Sequence, residues 1–253
     1  MDTLTSYSRL QNNNAIDCVK FIMAILVVAI HTTPFSFLHS EVVTTFFDVT
    51  TSLAVPFFFM TSGYFLYNKI VNSDLDVKLE RIRRWWKKIA RLYLVWTLIY
   101  LPFTIYGFCL DGVSPFKSFL VFVKNVLLVG QNYYSWPLWY LLAMLVAGGL
   151  IYLMEKLHFS YNKKLFFAIS LTVLGYLLDY LHTDLALQGW WTPIVDGYFK
   201  LFNSTRNGFF QGLIFMLFGV GVAQIQPTIL RIRIKIFLLI SYLLCLIGVM
   251  VML

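Results

Sequence analysis

The sequence predicts an all-α membrane protein, a polytopic transmembrane helix bundle with about seven spans. Of its 253 residues, 59% are hydrophobic and 13% are charged, whereas soluble domains carry about 25% charged residues. The apolar residues fall in long blocks, several of which approach the ~20 residues that cross a bilayer. The basic residues cluster in alternate connections between these blocks, as a fixed membrane topology requires. Together these observations exclude a soluble globular domain.

The apolar blocks define the predicted spans. Each block is long enough, or nearly long enough, to cross the hydrocarbon core as a helix. The first begins after a polar stretch and has spanning length, so it is predicted to be a helix of the mature protein and not a signal peptide. The seven spans are predicted at residues 17–37, 42–66, 90–110, 137–154, 165–181, 207–225 and 235–253.

The basic residues in the segments between the predicted spans give an independent test of the number of spans. Sixteen basic residues lie at the N-terminal side and in segments 67–91, 155–164 and 227–235, and four lie in the remaining connections. Because lysine and arginine collect on the cytoplasmic side, the N-terminus is predicted to be cytoplasmic. The net charge of +8 is then explained by topology, and no nucleic-acid partner is expected.

Two segments do not fit a regular span. Residues 116–129 are apolar but short and contain two lysines, so they are predicted to lie at the outer interface or to form a partial re-entrant helix. The chain stops at Leu253 inside an apolar run. This ending predicts that residues 1–253 are a single membrane domain truncated at its C-terminus.

Three ionisable residues lie within the first predicted span: Asp17, Lys20 and His31. Ionisable groups inside a bilayer are costly and often functional. On a helix, Lys20 and His31 differ by about 20° in direction and about 16 Å in height, and Asp17 is within ion-pair reach of Lys20. All three therefore share one face. The competing interpretations are an interfacial Asp17–Lys20 ion pair and a histidine that only packs.

A catalytic set is predicted around His31. An imidazole titrates near neutral pH and is suited to be a general base. Asp48, in the second span, is predicted at a similar depth, where its carboxylate would polarise the imidazole. Arg206, at the outer start of the sixth span, is predicted to stabilise an oxyanion, with a simple interfacial arginine as the alternative. The three cysteines have no metal-ligand spacing, and no metal site is predicted.

The most concentrated basic feature is the segment 78–91, KLERIRRWWKKIAR. It is typical of an amphipathic helix that binds anionic lipid and fixes topology. It also suits a phosphate-rich cytoplasmic ligand such as coenzyme A, because arginines bind phosphate oxygens bidentately. In that case Trp85 or Trp86 would stack on the adenine. The residues alone leave both interpretations open.

Five segments form an ordered set along the chain: Lys20 with His31, VPFFFMTSGYFL at 55–66, Arg81-x-x-Arg84, SWPLWYLLAML at 135–145 and RNGFFQGLIFMLFG at 206–219. In this order they resemble signatures of the membrane acyltransferase family 3. Lys20, followed after ten residues by His31, is similar to the first-helix signature, with lysine where many members have arginine. This exchange keeps the charge but loses the fork-like recognition of phosphate. Within the family, the sequence is most similar to the membrane domain of vancomycin-resistance serine racemases.

This resemblance implies an activity. Members move an acyl group, often acetyl, from a cytoplasmic coenzyme A thioester to a small-molecule or cell-envelope hydroxyl at the outer side. His31 would be the general base or a transient acyl acceptor. The acyl-CoA donor would be held by Lys20, Arg81 and Arg84, with Trp85 on its adenine. The resemblance also implies a multi-pass protein of a bacterial plasma membrane, with a soluble domain fused after the membrane domain in the racemases.

Two other functions compete with acyl transfer. The first is a membrane domain that binds or takes up L-serine for an attached racemase, without any acyl transfer. The second is a plain membrane anchor, which has no need of ionisable residues within a span. A serine carrier has no use for a coenzyme A site at residues 81–91, which distinguishes it from an acyltransferase.

Overall fold

Helices account for the architecture of this computed structural model, which describes residues 14–32, 34, 41–184 and 189–229. No strand occurs within these ranges. They divide into two units, one reaching Phe58 and the other beginning at Phe59. The seventh predicted span, 235–253, and residues 35–37 of the first lie outside the described residues.

The first unit contains two packed helices and the beginning of a third. Helix α1 (Asn14–Thr32) packs against α2 (Glu41–Ser52), and α3 (Ala54–Tyr67) follows after Leu53. The second predicted span, 42–66, is therefore divided between two helices. Pro56 lies in the first turn of α3, where its missing N–H costs no helical hydrogen bond. The N–H of Phe57 donates to the carbonyl of Leu53 at 3.1 Å, which keeps the junction short.

Helix α4 (Leu75–Leu110) is 36 residues long, so the predicted span 90–110 is only its second half. The residues before the span are mainly strong helix formers such as Leu, Lys, Arg and Glu, without glycine or proline. The helix therefore continues through the basic segment without a break. It ends before Gly112, whose φ of 62° suits glycine.

The short apolar segment after α4 is helical. Helix α5 (Pro115–Lys124) runs into a π-helical turn (Asn125–Val129), which ends at Gly130 with φ of 83°. Ten residues of α-helix rise about 15 Å, too little to cross a bilayer. The segment is thus a separate short element, as the sequence predicts.

Helix α6 (Leu138–Lys156) lies at the centre of the second unit. It contacts α4, a π-helical turn (Gly208–Gly212) and α9 (Leu213–Ile229), while α7 (Tyr161–Thr183) packs on the same turn and on α9. A short helix, α8 (Thr192–Phe202), packs on α7. The most buried core side chains of this unit come from α3, α4, α6, α7 and α9: Phe59, Ile82, Ala147, Ile151, Ala168, Leu213, Met216 and Leu217.

Helices α3 and α9 cross at backbone contact. A Cβ atom on Gly63 would overlap the carbonyl of Met216, and one on Gly219 would overlap the carbonyl of Met60. The contact is reciprocal, since each helix offers a glycine to the carbonyl of the other. Small residues allow this close approach of helices inside a membrane.

Five helical segments of the described residues are long and apolar enough to cross a membrane. They coincide with the second to sixth predicted spans. Many large apolar side chains on α4 and α7 are exposed, as expected of faces that contact lipid. The five segments are Glu41–Tyr67, Leu75–Leu110, Leu138–Lys156, Tyr161–Thr183 and Gly208–Ile225.

Candidate functional site

Helix α1 carries three of the four predicted polar site residues of the first unit. The Nζ atom of Lys20 lies 3.1 Å from Oδ1 of Asp17, so the predicted ion pair is present. His31 lies eleven residues further along the same uninterrupted helix, near its last turn. At 1.5 Å per residue, this places it about 16 Å from Lys20 along the axis.

His31 and Asp48 are both exposed in the first unit. They lie on neighbouring helices, since α1 packs against α2. No hydrogen bond or ion pair joins their side chains in the described part of the chain. The catalytic role of His31 and the orienting role of Asp48 both stay predictions.

The basic segment lies on the first half of α4, in the second unit. Arg81 donates from a terminal nitrogen to the carbonyl of Phe65 at 3.4 Å. Arg84 pairs with Glu80 at 3.1 Å, but both side chains are half exposed or more, so the pair is weak. Both guanidinium groups therefore remain available to a phosphate ligand.

The two tryptophans of the segment pack on α6. The ring of Trp85 lies against Gly148, and Nε1 of Trp86 donates to the carbonyl of Leu145 at 2.9 Å. Gly148 and Gly149 leave the space that the two rings fill. Trp85 is only partly exposed, and its stacking on an adenine stays a prediction.

Arg206 lines a cavity of about 170 Å³ in the second unit. The π-helical turn at 125–129, the first half of α6 and residues 202–209 form its wall. No hydrogen bond or ion pair of the Arg206 guanidinium occurs within the described residues. Arg206 thus brings one uncommitted positive charge to a mainly apolar cavity.

A hydrogen-bond network fixes the backbone beside Arg206. The Asn207 side chain accepts from the N–H groups of Phe209 and Phe210 at 3.0 and 3.1 Å, which caps the following helical turn. Its amide donates to the hydroxyl of Tyr198 at 2.8 Å, and that hydroxyl donates to the carbonyl of Ser204 at 3.0 Å. These bonds hold the turn that presents Arg206.

The pKa of Tyr198 is raised to about 12. Burial is the main cause, because it disfavours the phenolate, and the negative charge of Asp179 adds to it. The hydrogen bond from Asn207 acts in the opposite direction. Tyr198 is therefore protonated throughout the physiological range and acts here as a hydrogen-bond donor and acceptor.

The family model for the acyltransferase domain of family 3 matches residues 13–253. The match includes all the described residues and every site residue named above. The chain belongs to this acyltransferase family. Of the family's signature segments, Lys20 and His31 lie on α1, the Arg-x-x-Arg element on α4, and 206–219 runs from the Arg206 turn into α9.

Curated relatives of this acyltransferase domain are named racemases. An amino-acid racemase of Enterococcus faecalis is 33% identical over 241 residues, which are 93% of this chain and 31% of the relative. A serine/alanine racemase of Enterococcus gallinarum is 32% identical over 224 residues, which are 84% and 29%. The chain thus spans about a third of the length of these relatives. No solved structure matches.

Two polar groups of the acyltransferase domain were missed from the sequence. Lys164, which lies in the predicted cytoplasmic connection 155–164, is buried and paired with Glu155, and Tyr67 donates to the same carboxylate. Asp179, inside the fifth predicted span, accepts a hydrogen bond from the buried hydroxyl of Thr205. The criterion applied to the first span, an ionisable residue within an apolar block, also finds Asp179.

A cluster of three or more side chains able to bind a metal ion does not occur in the described ranges. The groups available to a ligand are instead the exposed imidazole of His31, the guanidinium groups on α4 and the Arg206 cavity. The first belongs to one unit and the others to the second.

Proposed function

We propose that the chain is an integral membrane O-acyltransferase domain, which moves an acyl group from cytoplasmic acyl-CoA to a hydroxyl acceptor at the outer side. The observation that carries this proposal is the family match across residues 13–253. The proposal includes a single domain over residues 1–253 with seven spans, a cytoplasmic N-terminus and a place in a bacterial plasma membrane. Five candidate spans and the Enterococcus relatives support these features.

The donor is proposed to bind through its phosphates. Arg81 and Arg84 lie one helical turn apart on α4, and both side chains extend from an exposed basic face. Guanidinium groups are suited to bind phosphate oxygens in pairs. Lys20 adds a further positive charge on α1, and Trp85 is the proposed partner of the adenine. The pantetheine arm is long enough to extend along the span between Lys20 and His31.

His31 is proposed to be the general base. Its imidazole accepts the proton of the acceptor hydroxyl while the oxygen forms a bond to the thioester carbonyl carbon. Arg206 is proposed to stabilise the resulting oxyanion, and Asp48 to orient the imidazole. When the intermediate collapses, the carbon–sulfur bond breaks, and the coenzyme A thiolate takes the proton from the imidazolium.

Release of free coenzyme A from acetyl-CoA tests this proposal. The purified chain in detergent, supplied with a membrane extract as a source of acceptors, is expected to release the thiol, and His31→Ala is expected to abolish release. His158→Asn is the matched control, because His158 is exposed and has a positive φ that asparagine tolerates. Equal release by the parent and His31→Ala would exclude His31 as the base.

The alternative is a membrane domain that binds or takes up L-serine for a racemase. The names of the relatives, an amino-acid racemase and a serine/alanine racemase, favour it. It predicts uptake of labelled L-serine into proteoliposomes and no release of coenzyme A. Uptake that is unaffected by Arg81→Gln together with Arg84→Gln would separate it from acyl transfer.

A further inference from the structure

The Arg206 cavity has the size of a small organic ligand. Its volume is about 170 Å³. An apolar protein cavity of about 150 Å³ stays dry and binds benzene, a ligand of six carbons. The Arg206 cavity, which opens to the surface where Leu127 and Arg206 are exposed, is therefore large enough for a short aliphatic group.

The wall is apolar except at one end. Arg206 is the charged residue of the lining, and the neighbouring Asn207 already uses its side chain to cap the following turn and to bind Tyr198. The polar residues present thus favour one anionic or strongly polarised oxygen at the guanidinium. The aliphatic and aromatic part of the wall includes Leu127, Val129, Trp139, Leu142, Val146 and Phe209.

The charge pattern argues against an amino acid in this cavity. A zwitterion needs a partner for its ammonium group as well as for its carboxylate, because an unpaired buried charge is costly. The lining contains no aspartate or glutamate. A monocarboxylate or an acyl carbonyl meets no such cost, because its oxygen pairs with Arg206 and its chain contacts the apolar wall.

We propose that this cavity binds the acyl group of the transfer reaction, as a short unbranched chain of up to about six carbons whose carboxyl oxygen contacts Arg206. This assignment rests on the proposed function, because it names the group that is transferred. The free carboxylate with the same chain is a product-like ligand of the site. It allows binding to be measured without any acyl transfer.

Trp139 makes this binding observable. Its indole lines the cavity, so an occupant is expected to change its fluorescence. The experiment titrates the purified full chain in detergent with sodium acetate and sodium hexanoate. Hexanoate is expected to bind at least about tenfold more tightly than acetate, because it buries four more methylene groups. The Trp139→Phe variant is expected to lose the fluorescence change.

Two variants test separately the contribution of the Arg206 charge and that of the alkyl chain of the ligand. Arg206→Gln is expected to weaken hexanoate binding by about tenfold or more through loss of the charge-assisted contact. Val129→Phe places a larger side chain in the cavity and is expected to weaken the binding of hexanoate much more than that of acetate. The controls are Lys117→Gln and Val121→Phe, which make the same changes on α5 outside the cavity lining.

The outcomes are distinct from those of the acyltransferase test. The proposal is overturned if hexanoate gives no change, if the change persists in Trp139→Phe, or if Arg206→Gln and Lys117→Gln behave alike. Coenzyme A release that depends on His31, without hexanoate binding, would support the proposed acyltransferase activity and overturn only the assignment of the cavity to the acyl group. Hexanoate binding without any such release would support a carboxylate-binding site and overturn the proposed acyltransferase activity.

Discussion

Lys164 and Glu155 form an ion pair inside the second unit, with about nine-tenths of each side chain buried. The hydroxyl of Tyr67 donates to the same carboxylate oxygen that contacts Nζ of Lys164. The pair connects the end of α6 to the first turn of α7, and Tyr67 adds the end of α3. One carboxylate thus joins three helices.

Loss of one member of this pair is expected to destabilise the protein strongly. Glu155→Gln and Lys164→Met each leave a buried charge without its partner, which costs about 3–5 kcal/mol. The double variant Glu155→Leu/Lys164→Met removes both charges and is expected to recover much of the loss. Thermal unfolding in detergent measures the order of stability of these variants. Lys163→Met is the control, since Lys163 is exposed, and equal destabilisation by it would refute the role of the pair.

Two adjacent glycines of α6 are expected to respond differently to alanine. A Cβ on Gly148 would overlap the Trp85 ring, so Gly148→Ala is expected to separate α4 from α6 and lower the melting temperature. A Cβ on Gly149 would lie 3.8 Å from its nearest neighbour, Nε1 of Trp86. Gly149→Ala is therefore expected to be neutral or to stabilise by up to about 1 kcal/mol through helix propensity. Similar effects at both positions would contradict this account.

The two functions of Asn207 are separable by substitution. Asn207→Asp keeps the oxygen that caps the turn but loses the donor to Tyr198, whereas Asn207→Ala loses both. Loss of a helix cap costs about 1–2 kcal/mol, so alanine is expected to destabilise more than aspartate. Chemical unfolding of the two variants beside the parent gives the difference. Equal losses in the two variants would show that the bond to Tyr198 dominates and that the cap contributes little.

Stability is expected to fall at high pH through Tyr198. An unfolded tyrosine loses its proton near pH 10, whereas burial raises the pKa of folded Tyr198 to about 12. Between these values the folded state binds more protons than the unfolded state, so the free energy of unfolding decreases as pH rises. Tyr198→Phe is expected to flatten this decrease in melting curves taken from about pH 9 to about pH 11. Tyr134→Phe, at an exposed tyrosine, should keep the slope of the parent.

The basic face of α4 is expected to determine affinity for coenzyme A. Arg81→Gln combined with Arg84→Gln removes two phosphate-binding groups and should weaken coenzyme A binding by about tenfold or more. Arg83 is exposed as well, but it points about 200° away from Arg81 around the helix. Arg83→Gln is therefore the matched control for each single variant, Arg81→Gln and Arg84→Gln. If it weakens binding as much as either of them, the segment acts through total charge, as an anionic-lipid site would.

The sequence predicts the helical elements well where composition alone decides them. Apolar blocks of spanning length give the five segments that the structure contains, because a bilayer imposes a minimum length. The ion pair between Asp17 and Lys20 is also predictable, since its partners are three residues apart on one helix.

Contacts between distant elements are not predictable in the same way. Lys164 lies in a basic connection between predicted spans, and only the fold brings it to Glu155 and Tyr67. The break at Leu53, in contrast, has a local signal, because Thr50, Thr51 and Ser52 precede it and Pro56 follows it, and the prediction of one continuous span passes over that signal. The cavity beside Arg206 depends on the backbone path of residues 202–209, which Asn207 fixes through bonds to backbone N–H groups.

The continuity of α4 has a consequence for the spacing of its two halves. Its 36 residues rise about 54 Å, whereas a hydrocarbon core is about 30 Å thick. The uncharged stretch 92–110 matches that thickness. Because the helix is unbroken, the charged half keeps a fixed rotation about the helix axis relative to this stretch. One inserted residue near Leu92 would turn the arginine face by about 100°, and seven inserted residues would restore its direction about 10 Å further from the span. The direction in which the arginines point is thus set by the number of residues between them and the bilayer.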